Sequence, residues 1–343
     1  MGSPWWTARF HDPQGCTSLM PVCACLVAMA GPGGPGSFYD ENMPVSPDIR
    51  GWSAPERAGD MTMHNVIKTF GIKEYNRSSS EIDLKVEELQ IAGFTVLADV
   101  LSAETLALAR GKLDEIYKLQ LEEIGGFDNL KLIGDPYTAM CPLAYDELFL
   151  SLVTERRILD IVERLLGDYF IVMLQNGILN VPEVGDDQTS GYWHRDLGYQ
   201  HFVSSRPIGL TAVHCLDDFN AVTGGTRVLP GSHRQEAFPS EEFLRRHEIG
   251  VEAPAGSVVL LDPMLYHRGG HNTSPNVRRG INTTYTIPLI KQQLNLPQAL
   301  GGRYRDDPFL ARLLGYESEV DPSVLAFRQR RLQRKLASPA AKK

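Results

Sequence analysis

From Tyr169 onward the chain breaks into short apolar runs rich in β-branched residues, with Gly and Pro turns between them. Phe170–Leu174, Gly177–Asn180, Ile208–Leu216, Thr226–Leu229, Ser257–Leu261 and Ile281–Ile290 each have the length and composition of a strand. Many short strands with turn signals between them imply an antiparallel sandwich or barrel. Before Tyr169 the texture is helical. Ile82, Val86 and Leu89 recur at helical spacing over 81–93, with Gly93 as a C-cap, and Phe94–Leu97 follows as a short strand. Ser102 is a candidate N-cap for a long amphipathic helix to Glu123, and two shorter helices are expected over Asp146–Leu152 and Glu155–Leu166. The expected fold class is mainly β with flanking helices. Residues 62–305 are expected to form one domain, with a helical N-terminal part and a β core at about 169–290, and 306–343 a helical basic tail.

The first sixty residues stand apart. Leu19–Ala30 is a short apolar run ending in Ala28-Met29-Ala30, similar to the core and cleavage site of an export signal. Trp5, Trp6, His11, Asp12 and Pro13 precede it in place of a compact basic start, and the run is too short to span a membrane. Gly31–Gly36 is rich in Gly and Pro. Residues 1–61 are therefore expected to be a disordered or non-structural leader, upstream of a start at Met61 or Met63.

Composition narrows the partners. A net charge of −8 argues against nucleic acid, because phosphate contacts need a basic surface. Basic residues gather at the C-terminus (Arg328, Arg330, Arg331, Arg334, Lys335), which reads as a solvated end. Five cysteines, none in a Cys-x-x-Cys pair, form no disulfide framework and suit a reducing cytoplasm. Neither a nucleic acid nor a membrane is expected as a partner.

Within the strand-rich half lies Tyr192-Trp193-His194-Arg195-Asp196. Residues two apart on a strand project from the same face, so His194 and Asp196 can serve one ion. His267 follows the apolar run Val258–Leu261 and the turn Asp262-Pro263, which places it to be delivered by a neighbouring strand. Two imidazoles and one carboxylate on a single face of an octahedral ion leave three positions open, the ligand pattern of non-haem Fe(II) oxygenases. Arg278 and Arg279 come shortly after His267. A guanidinium in a pocket holds a carboxylate through two charge-assisted hydrogen bonds, so Arg278 is the candidate anchor for the distal carboxylate of 2-oxoglutarate. On a strand the two arginines face opposite ways and only one can serve.

Several segments in fixed order resemble the phytanoyl-CoA dioxygenase family of Fe(II)/2-oxoglutarate oxygenases. They are His194-Arg195-Asp196, the Gly-rich stretch Thr223–His233 with its Pro-Gly-Ser-His end, Gly256–Asp262, His267 and Arg278. The resemblance covers roughly residues 85–290. It implies a double-stranded β-helix (jelly roll), iron held by His194, Asp196 and His267, 2-oxoglutarate as cosubstrate held by Arg278, and O2 as oxidant. Leu179-Asn180-Val181-Pro182 is similar to a strand end that brings an asparagine near the cosubstrate, which implies a supporting role for Asn180. Halogenating relatives carry a small residue in place of the aspartate, so Asp196 implies hydroxylation or another oxidation. Gly269 stands where relatives often carry a hydroxyl that helps hold the cosubstrate.

Other residues are read more plainly. His233 belongs to a tight turn and is structural, and Gly224-Gly225 is a turn, since no Lys-Ser/Thr follows it. His201 and His271 are spare imidazoles near the motif, and Tyr192, Trp193, Tyr199, Gln200 and Phe202 divide between cavity wall and core. No Gly-x-Ser-x-Gly elbow is present, which argues against a serine hydrolase. The expected activity is oxidation of an unactivated C–H bond of a small-molecule metabolite in secondary metabolism, with release of succinate and CO2. The alternatives are a zinc hydrolase on the same ligands and a non-catalytic jelly-roll binding protein.

Overall fold

Two caps set the first elements of the fold, a computed structural model that describes residues 68–182, 191–199 and 201–337. The leader expected over 1–61 and the starts at Met61 and Met63 lie outside these residues. The Ser80 hydroxyl accepts from the Asp83 N–H to begin α1 (Glu81–Ala92), and Gly93, at φ 85°, ends it by donating to the Leu89 carbonyl. The chain turns at once into β1 (Phe94–Leu97). Ser102 caps α2 (Ala103–Glu123) in the same way as Ser80 caps α1, and that helix buries Leu106, Ala109, Leu113 and Ile116. Then come α3 (Phe127–Leu132), β2 (Thr138–Met140), α4 (Leu148–Val153) and α5 (Arg156–Leu166). Packing holds α5. Its buried Ile158, Leu159, Ile161 and Val162 contribute about 1.5–3 kcal/mol each. Its pairs of Arg156 with Asp160 and Glu163 lie in water and add little.

The strands follow as β3 (Ile171–Asn180), β4 (Gly209–Cys215), β5 (Arg227–Val228), β6 (Ile249–Gly250), β7 (Val258–Leu261), β8 (His267–Arg268) and β9 (Arg278–Thr286). A six-stranded sheet runs β1-β7-β4-β9-β3-β2 and a three-stranded sheet runs β6-β5-β8. Every pairing is antiparallel. The protein is thus mostly antiparallel sheet with flanking helices, as its strand pattern implied.

Alternation along β4 divides the interior. Leu210 and Ala212 join the large core shared with α1, α2, α4 and α5, whereas Val213 and Cys215 join a second core with Val228 of β5 and Leu261 of β7. One face of the large sheet is therefore covered by helices and the other turns toward the small sheet. Gly177 allows the helical layer to sit close, because a Cβ there would meet Leu113 Cδ1 at 2.1 Å.

Three boundaries differ from the sequence expectation. The two strands expected over 170–180 are one strand with a register irregularity between Val172 and Leu174. Gln175, which read as a polar break, is buried and bonded through its amide to Leu143 N, the Phe149 carbonyl and Thr283. The strand expected at Ile281–Ile290 begins at Arg278 and ends at Thr286. α7 (Leu296–Ala299) precedes the expected tail, which holds α8 (Pro308–Leu313) and α9 (Val324–Ala337). A short α6 (Glu241–His247), capped by Ser240, had no clear apolar period to mark it. No described helix is long and apolar enough to cross a membrane.

Candidate metal centre

His194 and His267 meet through the backbone before their side chains meet. Each N–H donates to the other's carbonyl, at 2.9 and 3.1 Å, and Asp196 N–H donates to the Pro263 carbonyl at 3.0 Å. The His-x-Asp segment is thus held by a single antiparallel bridge to β8, shorter than the full strand its spacing suggested. The alternation still holds: His194 and Asp196 face one side. Arg195 turns to the other, with its guanidinium 4.1 Å over the Tyr266 ring and donating to the Ser232 carbonyl. The turn before β8 is closed by Asp262, whose Oδ1 accepts from the Met264 N–H; burial pushes that carboxyl up to about 6.

Three side chains converge. The Asp196 Oδ1 lies 3.5 Å from His267 Nε2 and 3.9 Å from His194 Nε2. One ligand atom from each of the three lies within 4.8 Å of the others. Ligand atoms roughly 2.1 Å from a shared ion stand about 3–4 Å apart, so the group needs little adjustment to close on one. The tautomers are set as well. His194 Nδ1 is 2.8 Å from the Tyr192 carbonyl and His267 Nδ1 is 2.9 Å from the Leu265 carbonyl. A carbonyl only accepts, so each Nδ1 carries the proton and each Nε2 presents its lone pair to the common centre.

The protonation states follow. Burial alone would raise the Asp196 carboxyl, but the two imidazoles, His267 foremost, and the Thr211 hydroxyl hold it below its ordinary value. Burial and the neighbouring His267 lower His194. Burial opposes a charge on His267, yet the Asp196 carboxylate outweighs it and raises that imidazole.

A cavity of about 250 Å³ opens beside the triad, lined by His194, His267 and Arg278 together with Tyr137, Tyr192, Ile178, Phe219 and Asn282. Arg278 is 5% exposed, lies 4.1 Å over the Phe219 ring and donates from Nη2 to the Gly224 carbonyl at 2.7 Å. Its Nε has no partner, and burial lowers the guanidinium to about 10. Among the described residues no carboxylate forms an ion pair with it. Arg279, the alternative anchor, points the opposite way and is taken: it bonds both oxygens of Asp114 on α2, at 2.8 and 2.9 Å, and reaches Asp217.

Asn180 lies behind the cavity wall. Its amide donates to the Gly224 and Gly270 carbonyls at 3.2 and 3.0 Å, and its buried Oδ1 has no partner. Gly224, at φ 73°, leaves room for that clamp, since a Cβ would sit 2.6 Å from the Asn180 amide nitrogen. Gly269 lines the cavity without a hydroxyl, and Thr138 and Thr226 supply hydroxyl-bearing side chains elsewhere on its wall.

The remaining residues sort cleanly. Tyr192 lines the cavity, whereas Trp193 packs against Phe238 and Arg268. Tyr199, His201, Phe202 and His271 are exposed and do not line the cavity, and Gln200 lies outside the described residues. His233 is buried against the end of α1, with Nε2 3.4 Å from the Gln90 carbonyl, as a structural residue would be. The sequence reading missed Tyr137, Thr138, Thr211, Thr226 and Asn282. Asn282 was findable, since it lies four residues after Arg278 on the same face of β9.

Residues 89–280, more than half of the chain, match the phytanoyl-CoA dioxygenase (PhyH) family. The chain belongs to that family. It is a 2-oxoglutarate-dependent dioxygenase that works with iron, 2-oxoglutarate and O2, which sets aside the zinc-hydrolase and non-catalytic readings. An uncharacterized protein of Mycobacterium tuberculosis is 29% identical over 266 residues, covering 75% of this chain and 96% of the relative. An ectoine dioxygenase of Stutzerimonas stutzeri is 25% identical over 234 residues, covering 58% and 75%. Among solved structures, the non-haem epimerase SnoN from nogalamycin biosynthesis is 17% identical with a TM-score of 0.47, covering 60% of this chain and 83% of that one.

The residues present fit both groups. Two neutral Nε2 atoms and a hard carboxylate oxygen suit Fe(II). A buried guanidinium with an unsatisfied N–H and, among the described residues, no carboxylate partner suits the far end of 2-oxoglutarate, because an unpaired buried charge costs several kcal/mol until an anion meets it.

Proposed function

We propose that His194, Asp196 and His267 hold the iron and that Arg278 holds the distal carboxylate of 2-oxoglutarate. On this reading the protein hydroxylates, or otherwise oxidises, an unactivated C–H bond of a small-molecule metabolite, releasing succinate and CO2. Iron and 2-oxoglutarate, when bound, supply the oxidising equivalents from O2. The observation that carries the reading is Arg278: a desolvated cation with no carboxylate partner among the described residues, on the wall of the same cavity as His194 and His267.

The chain's own groups do the positioning. The Tyr192 and Leu265 carbonyls orient the two imidazoles through Nδ1–H, so that each neutral ring carries its lone pair on Nε2. Asn180 and Arg278 share the Gly224 carbonyl, so the asparagine braces the loop against which the guanidinium rests. Phe219 screens the guanidinium from water on one face. Tyr137, Tyr192 and Ile178 give the cavity an aromatic and apolar wall, which supports a small organic substrate. Two buried thiols, Cys141 and Cys215, support a reducing cytoplasm as the setting.

The test is oxygen-dependent succinate release from 2-oxoglutarate across a metabolite panel, with iron supplied. Wild type is expected to couple succinate to one class of metabolite, and Asp196→Ala to lose that coupling entirely. Equal turnover by the two proteins would overturn the ligand assignment.

A further inference from the structure

Asp196 presents its two oxygens to different surroundings. Oδ1 faces both imidazoles, at 3.5 and 3.9 Å from their Nε2 atoms, whereas Oδ2 accepts from the Thr211 hydroxyl at 2.5 Å. Thr211 lies on β4 opposite Thr284 of β9, and their hydroxyl oxygens are 3.0 Å apart. Both threonines are buried, at 0% and 1% exposure. A carboxylate can only accept, so the single Thr211 proton goes to Asp196. The Thr284 hydroxyl must then donate to Thr211. The chain Thr284 to Thr211 to Asp196 has one direction, set by the charge at its end.

We propose that Thr211 is a positioning residue that makes Asp196 bind the metal through Oδ1 alone, with Thr284 holding Thr211 in the donating orientation. The proposal rests on the reading of His194, Asp196 and His267 as metal ligands. Its consequence comes from counting coordination positions. An octahedral ion held by two imidazoles and one carboxylate oxygen would keep three of its six positions, and a chelating 2-oxoglutarate would take two of those. One remains for O2. A carboxylate binding through both oxygens would take that last position. Tying Oδ2 to a buried hydroxyl keeps it open.

The test compares Thr211→Val, which keeps the shape and removes the donor, with Thr211→Ser, which restores a hydroxyl. Anaerobic calorimetric titration of Fe(II) is expected to show about 10- to 100-fold weaker binding for Thr211→Val, the usual effect of losing a ligand's hydrogen-bond partner. Thr211→Ser is expected to recover most of that loss and to melt close to wild type without metal, while metal-free Thr211→Val melts a few degrees lower, since the Asp196 Oδ2 and Thr284 hydroxyl each lose a buried partner. With iron and 2-oxoglutarate bound, Thr211→Val is also expected to react more slowly with O2 than wild type in stopped-flow mixing. If Thr211→Val fails to fold, Thr284→Val carries the same test, with a smaller expected loss. Wild-type iron affinity in the valine variant, or no recovery with serine, would overturn the proposal. Asp196→Ala separates the two levels. Loss of iron binding there with no effect of Thr211→Val sinks only the role of Thr211, whereas unchanged binding in Asp196→Ala sinks the ligand reading itself.

Discussion

The two faces of β9 are built from the same kinds of residue and end in opposite states. On the helix side, Arg279 is ion-paired to Asp114 and Asp217, Thr283 meets the Gln175 amide, and the Tyr285 hydroxyl donates to the Val153 carbonyl at 2.8 Å. On the cavity side, Arg278 keeps an unpartnered N–H, and Asn176, the register neighbour of Asn282, keeps an unpartnered carbonyl oxygen. A face that only supports the fold satisfies its polar groups internally, because each buried one left over costs free energy. A face that waits for ligands leaves such groups open. Arg278 and Arg279, adjacent in sequence, differ for this reason.

Removing the arginine on the cavity side gives the largest expected effect on cosubstrate binding. Arg278→Met is expected to raise the 2-oxoglutarate concentration needed for half-saturation about 100-fold, the loss of a charge-assisted bidentate contact. Metal-free stability should hold or rise, because a desolvated cation gives way to an apolar chain. Titration with 2-oxoglutarate and thermal melts check both halves, and an unchanged 2-oxoglutarate requirement would remove Arg278 from the cosubstrate site.

His214 tests the comparison from the other side, since it is the exception on the helix-facing surface. It is fully buried, its Nε2 has no partner, and burial lowers its pKa to about 4. The folded state favours the neutral ring, so its contribution is complete above pH 6.5 and is lost as pH falls through about 4. The drop is on the order of 3 kcal/mol over that window. His214→Leu should flatten the difference between melts at pH 7 and pH 4.5; equal pH slopes in the two proteins would mean that the ring titrates normally.

Smaller effects belong to the satisfied face. Arg279→Met should cost about 1–2 kcal/mol of stability, given a partly exposed ion pair with bidentate geometry. Its affinity for 2-oxoglutarate should match wild type, in contrast to Arg278→Met. Tyr285→Phe should cost about 1 kcal/mol, one buried hydrogen bond, with no change in iron or 2-oxoglutarate binding. A change in cosubstrate affinity from either variant would blur the division between the faces.

Much of this was legible in the sequence, and the part that was not has a common cause. His194 and Asp196 could be paired because two residues on a strand share a face, and His267 and Arg278 followed from the order of the segments around them. The helix starts at Ser80 and Ser102 lie in local capping chemistry, which a sequence displays directly. Thr211 was hidden because its partnership with Asp196 and Thr284 depends on the register of β4 against β9, and nothing near Thr211 announces it. The two-residue strands β5, β6 and β8 are too short to carry a period of their own. Gln175-Asn176 fell between two expected strands because the polar groups that satisfy Gln175 come from Leu143, Phe149 and Thr283, distant along the chain.

Anaerobic titration of Fe(II) into the metal-free protein, followed by 2-oxoglutarate, tests the centre most directly. One equivalent of each per chain is expected for wild type, with iron binding lost in Asp196→Ala and only the second step weakened in Arg278→Met. Iron uptake by Asp196→Ala with wild-type affinity and stoichiometry would contradict the account.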